Sequence, residues 1–111
     1  MKEMSGWIGV DLDGTLAHYD GWHGPEHIGD PIPTMLERVR GWLAEGKRIK
    51  IFTARASVPT YVPPITAWLE AHGIEGLEVT CIKDFEMIEL WDDRCVQVIP
   101  NTGVPVLMEG L

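Results

Sequence analysis

Six side chains in this sequence have the types and spacing for chemistry on a phosphoryl group: Asp11, Asp13, Thr53, Lys83, Asp92 and Asp93. Asp11-Leu12-Asp13-Gly14-Thr15 closes an apolar run and sets two carboxylates at i and i+2. A chain that begins to turn after a strand can aim both to one side, and Gly14 permits the turn. Such a turn needs at most one Asp, and a second carboxylate beside it costs repulsion unless a cation offsets it. Asp92-Asp93 repeats the problem after a second apolar run. Alone that pair reads as a solvated turn, and it gains weight beside the first. Mg²⁺ prefers oxygen ligands and keeps several waters, so two or three carboxylates suffice to hold it. Thr53 offers a hydroxyl and Lys83 a compact positive charge. A phosphoryl group in transfer needs positive charge and hydrogen-bond donors around its oxygens, with a metal to offset developing charge.

The elements that must position these groups alternate along the chain. Trp7 to Leu12 reads as a buried strand, and residues 17–32, rich in His, Gly, Pro and Asp, as a long loop. Pro33 suits a first helical turn; Met35, Leu36, Val39, Trp42 and Leu43 recur at helical spacing, with Gly46 as the stop. Arg48 to Thr53 is the second strand. A second helix starts near Pro63-Pro64, aligns Ile65, Trp68 and Leu69 on one face, and ends at Gly73. Leu77 to Ile82, Ile88 to Trp91 and Val96 to Ile99 read as three further strands, and Val104 to Met108 as a strand or an ordered arm. Alternating strands and helices imply an α/β fold with a parallel sheet and helices on its faces. Ligands in such sheets bind at the carboxyl ends of strands, where Asp11, Asp13, Thr53, Arg55, Lys83, Asp92 and Asp93 all fall.

The chain has 111 residues, 45% of them apolar, and a net charge of −8. That length fits one domain, taken as residues 1–111. The charge weighs against nucleic acid as a partner, because a duplex-binding module carries a basic face. No apolar run approaches the roughly 18 residues needed to span a membrane. No signal peptide is legible at the start, so the expected location is cytoplasmic. Cys81 and Cys95 are too few for a disulfide framework and read as reduced core thiols.

With these residues in place, the sequence resembles the haloacid dehalogenase superfamily of phosphotransferases. The resemblance rests on Asp11-Leu12-Asp13-Gly14-Thr15-Leu16, Thr53, Lys83 and Asp92-Asp93 in that order, and covers most of the chain. It implies a three-layer α/β/α sandwich around a mainly parallel, Rossmann-like sheet. It implies Asp11 as the nucleophile that forms an aspartyl-phosphate, and Asp13 as general acid and then general base. Thr53 would hold a phosphate oxygen, with Thr15 and Arg55 as further substrate contacts. Lys83 would orient Asp11 and neutralise the phosphoryl charge. Mg²⁺ would lie on the Asp11 carboxylate, the Asp13 backbone carbonyl and Asp92, with Asp93 direct or through water. Dehalogenating members lack the second acid, so Asp13 favours phosphoryl chemistry.

Two features narrow the expectation. Lys83 lies only nine positions before Asp92, too close for a crossover helix, so a short extended connection is expected. With Leu90-Trp91-Asp92-Asp93-Arg94, this interval looks like the deoxyribonucleotidase branch, and the Asp-Asp-Arg triplet also occurs in polynucleotide phosphatase domains. No cap domain fits, because residues 17–32 and 54–63 allow only loops. The site is then open, to be covered by a large substrate or by a neighbouring subunit of a homo-oligomer. Trp22 in the first loop reads as a loop anchor or as a stacking surface for a base or sugar. His18, His23 and His27 read mainly as polar loop residues, and Arg94 as a salt-bridge partner of the acidic cluster. The leading expectation is a Mg²⁺-dependent phosphomonoesterase acting on a small phosphorylated metabolite such as a nucleotide. The alternatives are a nucleic-acid-end phosphatase, a non-catalytic metal- or phosphate-binding module, and, disfavoured by the missing lid, a phosphotransferase.

Overall fold

In the computed structural model, which describes residues 6–106, four strands and two helices build the domain. The strands are β1 (Trp7–Val10), β2 (Arg48–Phe52), β3 (Glu78–Thr80) and β4 (Met87–Trp91); the helices are α1 (Pro33–Ala44) and α2 (Val62–Ala71). All strands are parallel, in the order β3-β2-β1-β4. No helix among the described residues is long and apolar enough to cross a membrane.

Strand alternation divides the sheet into two unlike faces. Ile8 and Val10 of β1 and Ile49 and Ile51 of β2 point to one face, where they form a single core with Met35, Leu36 and Val39 of α1 and Ile65 and Leu69 of α2. Both helices therefore cover the same side. Leu12, Leu16 and Ala17, all fully buried, close this core at the carboxyl end of the sheet. Pro33 opens α1 as expected, and Gly46 and Gly73 follow the two helices.

The other face carries Trp7, Lys50 and Phe52. Because β1, β2 and β3 advance in one direction with helices on one side, a right-handed return from β3 to β4 must cross the opposite side. It has only residues 81–86 in which to do so. Passing over two strands means about 14 Å of lateral travel, which six residues cover only when nearly extended. The connection is short and irregular, with a turn at Phe85 and Glu86, and no helix supplies a third layer there. Asp84 pins it: its carboxylate accepts the Trp7 indole N–H at 2.8 Å and lies 3.8 Å from the Lys50 ammonium. Lys50 is buried, sits 4.5 Å from the centre of the Trp7 ring and also meets Glu78. Gly9 makes room for this packing: a Cβ there would stand 3.0 to 3.2 Å from Met87, Trp7 and Leu90.

Two expectations need correction. Val96 to Ile99 is not a fifth strand; it forms an isolated antiparallel bridge, Val98 to Pro105, with Val104 to Val106 folded back as an arm. Leu107 and Met108 lie outside the described residues. Cys81 and Cys95 are free but exposed, not core thiols. Cys81 follows the last residue of β3, and Cys95 follows a tight turn beyond β4. Without a fifth strand there is no core for Cys95 to enter.

Candidate active site

The first acidic segment leaves β1 at the carboxyl end of the sheet. Asp11 N–H still donates to the Trp91 carbonyl at 2.9 Å, and the chain then coils on itself. The N–H groups of Leu16 and Ala17 both donate to the Leu12 carbonyl, at 3.0 and 2.8 Å. Leu12 and Leu16 are drawn into the core, so Asp11, Asp13 and Thr15 are left on the outer side. Gly14 sits at φ +92°, and a Cβ there would collide with the Asp93 carboxylate. The turn therefore requires glycine both for its backbone and for the close approach of the second acidic segment.

That approach brings the two segments together. One carboxylate oxygen each from Asp11, Asp92 and Asp93 lies within 4.8 Å of the others. Thr15 braces them. Its hydroxyl is 3.3 Å from Asp11 Oδ2 and 3.3 Å from Asp93 Oδ1, and it accepts the Asp93 N–H at 3.0 Å. Asp92 Oδ1 accepts the Arg94 N–H at 2.8 Å. Burial, then the charge of Asp92 and the proximity of Asp93, push the Asp11 carboxyl up to about 8; the Thr15 hydroxyl opposes them weakly. Three convergent oxygen donors under such mutual repulsion are a fit for a hard divalent cation, with room left for its waters. No histidine or cysteine joins the cluster among the described residues.

Asp13 is placed differently. Its side chain turns from the cluster to Arg55, which holds it through two parallel bonds, Nε to Oδ2 at 2.8 Å and Nη2 to Oδ1 at 2.9 Å. The guanidinium is buried and also donates to the carbonyls of His27 at 3.1 Å and Pro25 at 3.4 Å. Arg55 gets there through a 3-10 turn over Ala54–Ser57, which the buried Thr53 caps by accepting the Arg55 N–H at 3.2 Å. Residues 54–61 are thus two short 3-10 turns rather than plain loop.

Asp11, Asp13, Thr53, Arg55 and the Asp92-Asp93 pair line one open cleft of about 970 Å³. Lys83 stands exposed on the connection, makes no hydrogen bond or ion pair among the described residues, and lies near enough to the cleft residue Cys95 to act on it electrostatically. Arg94 does line the cleft, and its side chain makes no ion pair among the described residues, so it does not neutralise the acids. Thr15 is occupied between carboxylates and Arg55 with Asp13, rather than free for a ligand.

Sequence reasoning offered Trp22 as a loop anchor or a stacking surface and missed the two tyrosines that share its cleft. Tyr19, Trp22 and Tyr61 line the same cleft as the acids. Trp22 lies over the Arg55 guanidinium at 4.8 Å and tilts against Tyr61 at 5.7 Å. Tyr19 and Tyr61 carried no signal of their own, because no periodicity links them. His23 and His27 meet edge to face at 5.2 Å, with His23 paired to Asp20. Comparison with models of protein families, with characterised proteins and with solved structures finds no match to this chain.

Proposed function

We propose that this protein is a phosphomonoesterase of the haloacid dehalogenase type, with Asp11 as the nucleophile and Mg²⁺ as the cofactor. The observation that carries the reading is the convergence of Asp11, Asp92 and Asp93 at the carboxyl end of a parallel sheet, with the second acid, Asp13, held two residues away. Asp11, Asp92 and Asp93 are the side chains that would hold the ion; when bound, it supplies positive charge against the phosphoryl oxygens and keeps Asp11 ionised.

The chain's own residues divide the remaining work. Asp11 attacks phosphorus through a carboxylate oxygen, and the ester oxygen leaves as the aspartyl-phosphate forms. Asp13 would protonate that oxygen and then take a proton from the water that attacks the aspartyl-phosphate, which restores both acids; the step requires a protonated Asp13 with one oxygen released from the Arg55 fork, which holds both here. Arg55 acts as a positioning residue: its fork fixes Asp13 in orientation, as a bidentate pair does. Thr15 keeps Asp11 and Asp93 in register. Thr53 is the hydroxyl offered to a phosphate oxygen. Lys83 stays part of the reading as the cation that meets the phosphoryl group once substrate is bound, and Arg94 stands nearer the cleft for the same task.

The fold assigned with this reading is the Rossmann-like core of the superfamily without a cap, its third layer reduced to residues 81–86. The substrate is a small phosphorylated metabolite and the location cytoplasmic. The net charge of −8 disfavours a nucleic-acid end. The test is hydrolysis of para-nitrophenyl phosphate with Mg²⁺ and with EDTA, beside Asp11→Asn. Turnover that needs the metal and is lost in the variant supports the reading; equal turnover in Asp11→Asn overturns it. Cation binding with no turnover of any ester returns the site to a metal-binding module.

A further inference from the structure

We propose that Trp22, backed by Tyr61 and Tyr19, is a stacking wall that selects phosphomonoesters whose organic part carries a flat aromatic ring. The inference rests on the phosphoryl site above and names the chemistry of what lies beyond the phosphate.

Three observations carry it. The first is placement. The chain has only two tyrosines, and both line the cleft that holds the acids, with Trp22 beside them. Trp22 connects directly to the reacting groups: Asp13 is bonded to Arg55, and Arg55 lies under the indole. A ring on Trp22 is therefore two side chains away from the general acid.

The second is exposure. Trp22 is 50% and Tyr19 45% exposed. The other tryptophans are buried or half-buried: Trp7 lies inside the sheet, Trp68 gives its N–H to the Gly29 carbonyl, and Trp42 packs on Trp91. Trp22 alone leaves half an indole facing the cleft. A loop anchor would turn that surface inward.

The third is preorganisation. Gly21, at φ +128°, bends the chain just before Trp22 in a conformation an L side chain resists. Arg55 ties the far limb of the same loop through the carbonyls of Pro25 and His27. A stacking surface fixed in this way loses little entropy when a ring settles on it. Its sequence tolerance follows too, since every planar ring offers a π face. Two sources fit the chemistry: the base of a mononucleotide, set off by its sugar, or an aryl ring joined directly to the phosphate.

The test uses the full chain with Mg²⁺ and three esters: a nucleoside monophosphate, phenyl phosphate and glycerol phosphate. The readout is the ratio of kcat/KM for each ring-bearing ester to that for glycerol phosphate, which a general loss of activity does not move. In Trp22→Ala this ratio falls roughly 5- to 160-fold, the span of base–aromatic stacking; Trp22→Phe keeps most of it, and Tyr61→Leu gives a smaller loss. Which ester shows the larger fall tells a nucleobase from an aryl phosphate. Binding of the same three esters to Asp11→Asn reads the wall without turnover. Ring-selective binding lost on adding Trp22→Ala supports the wall even where no ester is hydrolysed, and the phosphatase reading alone then fails. Asp11-dependent turnover with a ratio unchanged by Trp22→Ala overturns the wall and leaves the phosphatase reading standing.

Discussion

Replacing Asp92 by Asn removes one negative charge from the cluster and leaves its geometry in place, because the amide oxygen still accepts the Arg94 N–H. The paired oxygens lie within 4.8 Å, where two unit charges repel by about 3 kcal/mol at an effective dielectric of ~20 and by about 1 kcal/mol in bulk water. Asp11 is half-buried and Asp93 exposed, so solvent screening brings the expected relief to about 1–2 kcal/mol. The sign depends on pH. Asp11 is raised from 3.8 in the unfolded chain to about 8 in the fold. The folded state therefore binds the extra proton between those values, and metal-free stability falls as pH rises from about 4 to about 8. At pH 5 Asp11 is already protonated and Asp92→Asn changes little. At pH 9 it stabilises the metal-free protein, raising Tm by about 4–8 °C at the usual slope for a domain of this size. Mg²⁺ reverses the order: it stabilises the parent protein at pH 9 and the variant much less. The assay is thermal unfolding from pH 5 to 9, in EDTA and in Mg²⁺. A parent Tm that is flat with pH in EDTA, and equal to that of Asp92→Asn at pH 9, would refute the electrostatic reasoning.

Other perturbations have equally definite outcomes. Arg55→Ala leaves the Asp13 carboxylate without its fork and frees the 17–32 loop; we expect a loss of about 2–4 kcal/mol in denaturant unfolding, with the pH profile of kcat displaced, and partial recovery in Arg55→Lys. Gly14→Ala drives a Cβ into the Asp93 carboxylate and strains a positive φ, so Mg²⁺ titration should show weakened binding and unfolding a loss of at least about 1–2 kcal/mol. Asp84 is held below the usual carboxylate range, first by the Trp7 N–H and then by the Glu86 N–H, with Lys50 and Arg48 adding to it. Its contribution is present above pH 3.8 and lost as pH falls below that, so Asp84→Asn should flatten the acid limb of a stability–pH curve.

The helices and inner strands were legible because each carries its period: Met35, Leu36 and Val39 return every three or four residues, and Ile49 and Ile51 alternate around Lys50. The acidic cluster was legible because the rule for parallel sheets places every strand end at one edge. What failed did so for want of long-range information. Val96 to Ile99 has the composition of a strand, yet it leaves the open edge of β4 unpaired and bonds instead to the arm that folds back over Val104 to Val106. The third strand reads from Leu77 to Ile82, but β3 spans only Glu78–Thr80, because the chain must turn at once toward Met87. The Arg55–Asp13 fork spans 42 positions and depends on a 3-10 turn that no local signal announces. Trp22 and Tyr61 meet from loops 39 positions apart, with Arg55 packed against the indole.

The most direct test of the account is acid-quench mass spectrometry of the protein during turnover of a phosphomonoester with Mg²⁺. The account predicts an acyl-phosphate on the peptide that contains Asp11, absent with EDTA and absent in Asp11→Asn. Turnover with no phosphoryl group on that peptide, or with one on another residue, would contradict it.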